Sequence, residues 1–192
     1  KLKAGFYYCS PGAYGGVPYA HPRPRGTPML HGMPPEARDR MPDFMHEQLR
    51  ELLTWYGEID LFWSDQWEAS WPRHLALIRA LQPNCLVVAN NAEDLENSDV
   101  HSVEYNISAN QARLPGPGNT IPFEISDTIV NSWFWNINRE MRPKRTPREI
   151  AELLSLCSSR NANLLFNVPP NPDGLISEPF QEYLREVGRL RG

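Results

Sequence analysis

The chain is expected to be an α/β protein, a partial (β/α)8 TIM-like barrel, with a doubly wound parallel sheet as the rival architecture. Short runs rich in β-branched and aromatic residues alternate with longer amphipathic segments, which is the pattern of βαβ units. One of these runs, 59–64, ends abruptly on Asp65, which stands between Trp63 and Trp67. Buried parallel strands read as continuous apolar runs, and in α/β folds the chemistry sits just past their carboxyl ends.

The elements follow in order. Residues 3–9 form a strand, and 10–37 form a long loop rich in Pro and Gly that carries Tyr14, Tyr19, His21 and His31. Loops of that length inside compact domains are usually functional or disordered. From Asp39 to Tyr56 the apolar residues Met41, Phe44, Met45, Leu49, Leu52, Leu53 and Tyr56 fall at helical spacing, and Gly57 closes the helix. Strand 59–64 leads to a helix over 70–82 with Leu75, Ile78 and Leu81 on one face, stopped before Pro83. Strand 85–90 is followed by an irregular stretch to about residue 121, then a short strand at 122–126. Ile150, Leu153, Leu154 and Cys157 mark a helix at 148–159. Strand 162–168 runs into the turn-forming Pro169-Pro170-Asn171-Pro172-Asp173-Gly174, and a last helix spans 178–190.

Composition narrows the function classes. With 192 residues, 41% of them hydrophobic and 22% charged, the chain can build one domain with a true core. A net charge of −4 and the lack of a basic stripe argue against a nucleic-acid partner. No apolar stretch approaches the ~20 residues of a membrane helix. Lys1-Leu2-Lys3 runs directly into a strand, so no signal peptide is expected and the chain is expected to begin inside a domain. Cys9, Cys85 and Cys157 are odd in number and widely spaced, which suits small core residues better than disulfides. The five histidines lack ligand spacing, so no metal site is expected.

A carboxylate beside flat aromatic surfaces suits an enzyme that cleaves sugars, whereas the plainer role for Asp65 is to cap the following helix. Retaining glycoside hydrolysis needs two carboxyl groups about 5–5.5 Å apart, one a nucleophile and one a general acid/base. Two glutamates are candidates for the second. Glu104 lies in the loop after strand 85–90, and Glu124 sits on the next strand between Phe123 and Ile125. The plainer roles are an exposed loop acid for Glu104 and a structural pairing, for example with an arginine, for Glu124. Glu58 and Asp60 are expected at the strand entry, and Asp173 in a turn.

Three blocks carry a family resemblance. They are Gln48-Leu49-Arg50-Glu51-Leu52-Leu53-Thr54 with Tyr56-Gly57 and Ile59-Asp60-Leu61-x-Trp63-x-Asp65; Glu124-x-x-x-Thr128-Ile129-x-x-Ser132-Trp133; and Asn163-Leu164-Leu165-x-Asn167-Val168-x-Pro170-x-Pro172-Asp173-Gly174. In this order, with Gly5-Phe6-Tyr7-Tyr8-Cys9-Ser10 ahead of them, the sequence resembles the α-L-fucosidases of glycoside hydrolase family 29. The resemblance implies the second half of a catalytic barrel, with its early strands and any following β-sandwich absent. It implies retaining removal of terminal α-L-fucose from a fucosylated oligosaccharide or glycoconjugate without a cofactor, in an extracellular, periplasmic or lysosomal setting. Asp65 would be the nucleophile. Trp63, Trp67, Trp133, Tyr8 and Asn91 would line the sugar site. The acid/base would be Glu104, in a Glu-Tyr pair, or Glu124, with Glu104 favoured and Glu124 deeper as support. Departures from the family pattern include Ala92 in place of an arginine, Phe123 for a tryptophan, Ser126 for a cysteine, Phe134-Trp135 for Gly-Tyr and Gln66 for a glycine. They leave open a barrel that binds fucosylated glycans without cleaving them, or a retaining glycosidase for another sugar.

Overall fold

A computed structural model describes residues 3–9, 35–65, 70–91, 95–104, 114–136, 138 and 141–192, with side chains 35–39 and 41 excepted. The chain divides into two compact units, Lys1–Val100 and His101–Gly192. Among the described residues each contains a three-stranded, wholly parallel sheet and two helices, so the fold is α/β.

In the first unit the order is β1 (Gly5–Cys9), α1 (Pro35–Trp55), β2 (Leu61–Asp65), α2 (Trp71–Leu81) and β3 (Leu86–Ala89). The sheet order is β1-β2-β3. Met45, Leu49 and Leu53, four residues apart, bury one stripe of α1. The helix begins before Asp39 and includes Pro42, which the apolar spacing alone does not show. Gly57 leaves it with φ +88°, a conformation that suits glycine. Asp60 guards the strand entry as expected, its Oδ2 accepting from the Ala4 amide at 2.9 Å.

Strand alternation then separates two faces. Phe6, Tyr8, Phe62, Val87 and Ala89 join Leu49, Leu53, Leu77 and Ile78 in the core beneath the helices. Register pairs Tyr7 with Trp63 and Cys9 with Asp65, so these side chains share the opposite face, where Trp63 packs with Val88 and Val100. At the start of β1 a Cβ on Gly5 would lie 3.1 Å from the Leu61 Cβ, so glycine permits this close strand approach.

The second unit runs β4 (His101–Glu104), β5 (Phe123–Thr128), α3 (Pro147–Ser158), β6 (Ala162–Asn167) and α4 (Glu178–Arg191), with sheet order β4-β5-β6. Ile125, Ile129, Ile150, Leu153, Leu164, Phe180 and Val187 form its core between sheet and helices. A capping box starts α3: the Glu149 amide donates to Thr146 Oγ1, and the Glu149 carboxylate accepts from the Thr146 amide. The turn after β6 is held by Asn171 Oδ1, which accepts from the amides of Asp173 and Leu175, with Gly174 at φ +76°.

Two expectations change. Strand β4 lies within the stretch expected to be irregular, so Glu104 ends a strand rather than sitting in a loop. Cys85 and Cys157 are buried, but Cys9 is half-buried on the Asp65 face rather than in the core. Tyr14, Tyr19, His21, His31 and Trp67 lie outside the described residues. Among the described residues no helix is long and apolar enough to cross a membrane, and no group of three or more His, Cys, Asp or Glu could hold a metal ion.

Candidate active site

Asp65 is the last residue of β2 and is 7% exposed. Both carboxylate oxygens are engaged by neutral donors. The Tyr7 hydroxyl donates to Oδ2 at 2.6 Å, and the Asn90 amide Nδ2 donates to Oδ1 at 2.8 Å. Tyr7 reaches it because register places β1 alongside β2 with both side chains on the same face. Asn90 reaches it from the residue just past β3, where its own amide continues the ladder by donating to the Ser64 carbonyl at 2.8 Å.

The environment differs from that of several other aspartates. Asp43, Asp60, Asp99 and Asp127 each meet a lysine or arginine. Asp65 forms no such pair among the described residues. A buried carboxylate held by two neutral donors keeps its orientation without having its charge cancelled by a cation. That suits attack on an electron-poor carbon better than it suits a structural ion pair. The helix-cap role is not seen either: the residue before α2 is Ser70, not Asp65.

Trp63 lies two residues back on the same face and is 8% exposed. Its ring stacks on Tyr7 with centroids 5.4 Å apart and planes 20° from parallel. Tyr7 itself is 63% exposed, so the accessible aromatic surface beside the acid belongs to Tyr7, with Trp63 backing it.

Two expected contacts shift by one residue. Tyr8 points into the helix layer, where its hydroxyl donates to Gln48 Oε1 at 2.8 Å and its ring tilts against Phe62. Strand alternation therefore assigns the site position to Tyr7, not Tyr8. Likewise Asn90, buried, holds Asp65, whereas Asn91 is exposed at φ 58°. The sequence reading missed Tyr7 and Asn90. The alternation of β1 relative to Asp65 carries the signal for the first, but two adjacent tyrosines give no means of choosing the phase.

In the second unit, β4–β6 present a polar face away from the helix core. Register aligns Ser102, Glu124 and Asn163 in one row, and Glu104, Ser126 and Leu165 in the next. Both glutamates therefore share a face, with Glu104 at the carboxyl end of its strand and Glu124 near the amino end of β5. Glu124 Oε2 accepts from Asn163 Nδ2 at 3.0 Å. Buried Asp127, on the opposite face, pairs with Lys144 at 2.6 Å and Arg145 at 2.5 Å.

Trp133 follows β5 in a turn with a clear physical basis. Thr128 Oγ1 donates to the Ser132 carbonyl at 2.8 Å. Asn167, at the end of β6, donates to Thr128 Oγ1 and to the Trp133 carbonyl. Thr128, Ser132 and Asn167 thus fix an exposed indole at the carboxyl end of the sheet.

A family model described as alpha-L-fucosidase matches residues 3–190. The curated alpha-L-fucosidase 1 of Arabidopsis thaliana is 26% identical over 180 residues, covering 78% of this chain and 34% of its own length. Alpha-L-fucosidase isoenzyme 1 from Paenibacillus thiaminolyticus superposes with TM-score 0.70 at 30% identity, covering 98% of this chain and 48% of that one. Alpha-L-fucosidase AlfC from Lactobacillus casei, in complex with its α-L-fucose product, gives TM-score 0.59 at 26% identity, covering 76% of this chain and 43% of that one. The chain thus spans about a third of the plant relative and about half of the bacterial structures. With a match that extends over nearly all of its residues, it belongs to the alpha-L-fucosidase family.

Proposed function

We propose that this chain supplies the nucleophile and the acid/base of a retaining exo-α-L-fucosidase. Its two parallel sheets are then arcs of one (β/α) barrel, and its substrate is a fucosylated oligosaccharide or glycoconjugate. The observation that carries this reading is the Asp65 carboxylate, buried at a strand's carboxyl end and held by Tyr7 and Asn90, with no cation against it among the described residues.

Asp65 attacks the anomeric carbon and forms a fucosyl ester as the glycosidic bond breaks. A protonated glutamate gives its proton to the departing oxygen, then takes one from the water that cleaves the ester. Glu104 fits this role better than Glu124, because it ends its strand at the edge where barrel chemistry takes place. Glu124, nearer the other end, then supports it. Tyr7 and Trp133 provide flat surfaces for the sugar.

The test is hydrolysis of an aryl α-L-fucoside by the intact protein and by Asp65→Gly. The variant should lose more than about 1,000-fold in kcat, within the range that removal of a covalent nucleophile produces. Azide should restore turnover and give a fucosyl azide of inverted anomeric configuration. Activity within a few-fold of the parent would eliminate Asp65 as nucleophile. Fucose binding by calorimetry without turnover on any aryl glycoside would instead favour the non-cleaving reading that Ala92 motivates.

A further inference from the structure

The turn that leaves β5 holds a second aromatic ring that the proposed fucose site does not use. Trp133, Phe134 and Trp135 follow one another there; Trp133 is 36% exposed, Phe134 59%, and Trp135 is half-buried. Phe134 is nevertheless held firmly through its backbone. Ser132 Oγ accepts from the Phe134 amide at 3.2 Å and donates to the Phe134 carbonyl at 2.8 Å. Thr128 Oγ1 in turn donates to the Ser132 carbonyl, and Asn167 reaches both Thr128 Oγ1 and the Trp133 carbonyl. Both backbone polar groups of Phe134 are satisfied inside the turn, so what the residue offers outward is a flat apolar ring on a fixed backbone.

Its place along the sheet decides what that ring can meet. Glu104 ends β4, and its register partner on β5 is Ser126. Strand β5 continues past Ser126 to Thr128, about 6.6 Å of further rise. The turn therefore starts beyond the level of Glu104, on the neighbouring strand, at the edge where barrel chemistry takes place. A general acid must stand within hydrogen-bond reach of the oxygen it protonates, so the leaving half of the substrate extends outward from Glu104, past this turn. Of the two consecutive rings, the more sheltered Trp133 suits the terminal fucose, and the more open Phe134 suits the group that departs into water. A pyranose has C–H bonds on its face and hydroxyls around its rim. A ring without a polar atom covers the face and reads no hydroxyl.

We infer that Phe134 is the platform for the leaving-group sugar: it packs against the apolar face of the pyranose to which the fucose is attached. The inference rests on the fucosidase reading with Glu104 as its acid, and it narrows the substrate class to fucosides of a pyranose. The ring takes no part in bond making. Its contact forms while the leaving sugar is still attached and persists in the transition state, so it raises kcat/KM on disaccharides relative to fucosides that carry no second ring. It favours a pyranose as such, not one configuration of its hydroxyls.

The experiment uses the intact protein and two kinds of substrate: α-L-fucosyl fluoride, whose leaving group has no face to cover, and the fastest of a panel of fucosyl-hexose disaccharides of differing linkage. The quantity read is the ratio of kcat/KM on the disaccharide to kcat/KM on the fluoride. It should fall roughly tenfold in Phe134→Ala, the scale of about two methylenes withdrawn from contact, and return in Phe134→Tyr, which keeps the ring. Leu175, 62% exposed just past the turn that follows β6 and so one strand farther from Glu104, is the control: Leu175→Ala should leave the ratio as it is. An unchanged ratio in a folded Phe134→Ala variant overturns the inference, even where both rates fall, since an equal fall marks a disturbed turn. So does an equal drop in Leu175→Ala, or a parent that hydrolyses the fluoride and no disaccharide. Should the parent hydrolyse neither substrate, the fucosidase reading fails, and the ratio is taken instead from calorimetric affinities for the disaccharide and for free fucose. A fall in Phe134→Ala then upholds the platform, and no fall removes it as well.

Discussion

Removing one oxygen atom at Tyr7 tests the site's geometry directly. Tyr7→Phe deletes the donor 2.6 Å from Asp65 Oδ2 and retains the ring stacked on Trp63, so no cavity opens. Hydrogen bonds to charged groups contribute about 1.5–3 kcal/mol. The lower end applies, because the Tyr7 ring is well exposed and water can replace its hydroxyl. Asn90 still holds the other oxygen, so the carboxylate loses precision without being released. About 1.5 kcal/mol corresponds to roughly a tenfold loss in kcat/KM, carried mainly by kcat. The assay is steady-state hydrolysis of an aryl α-L-fucoside beside Tyr8→Phe. The Tyr8 hydroxyl bonds Gln48 in the helix layer, so that variant should stay within about twofold of the parent. If Tyr8→Phe loses as much turnover as Tyr7→Phe, the assignment of strand faces is wrong.

Three further outcomes are expected. Asp127→Ala removes the carboxylate shared by Lys144 and Arg145, both about nine-tenths buried, and should cost about 3–5 kcal/mol in urea unfolding. Adding Lys144→Met and Arg145→Met should recover part of that loss; no recovery would show that Asp127 acts other than through its cations. Burial, aided by the charges of Arg73, His74 and Arg50, holds the His46 imidazole below the usual histidine range. The unfolded chain therefore binds a proton there first, and stability should fall as pH drops below about 6.5, an effect that Tm measurements should find flattened in His46→Asn. Asn167→Ala frees the Trp133 turn and should raise KM more than it lowers kcat, whereas an unchanged KM would separate Trp133 from sugar binding.

How much of this was legible in the sequence depends on where apolar residues stand. The helices α1 to α4 follow from their 3.6-residue periodicity, because each buries a stripe against a sheet. Strand β4 did not show itself. Of its four residues only Val103 joins the core, while Ser102 is buried without being apolar. A strand whose hidden face is polar leaves no hydrophobic trace. The acid at position 65 stood out because a long apolar run preceded it. Its partners did not, because Tyr7-Tyr8 and Asn90-Asn91 repeat the same residue on both sides of the backbone. Sequence composition is blind to that phase, and only the register between β1, β2 and β3 resolves it. Glu124 could be paired with Asn163 only once β5 and β6 were aligned.

Gly5 ties the far end of the first sheet to the chemistry. Any larger residue there must push against Leu61 by a few tenths of an ångström, with the Leu61 carbonyl 3.3 Å away as well. Two residues downstream on the same side of the same strand, Tyr7 would carry that displacement to the Asp65 oxygen. A methyl group placed at the bottom of the sheet would thus be felt at the Asp65 carboxylate, through the backbone of one strand.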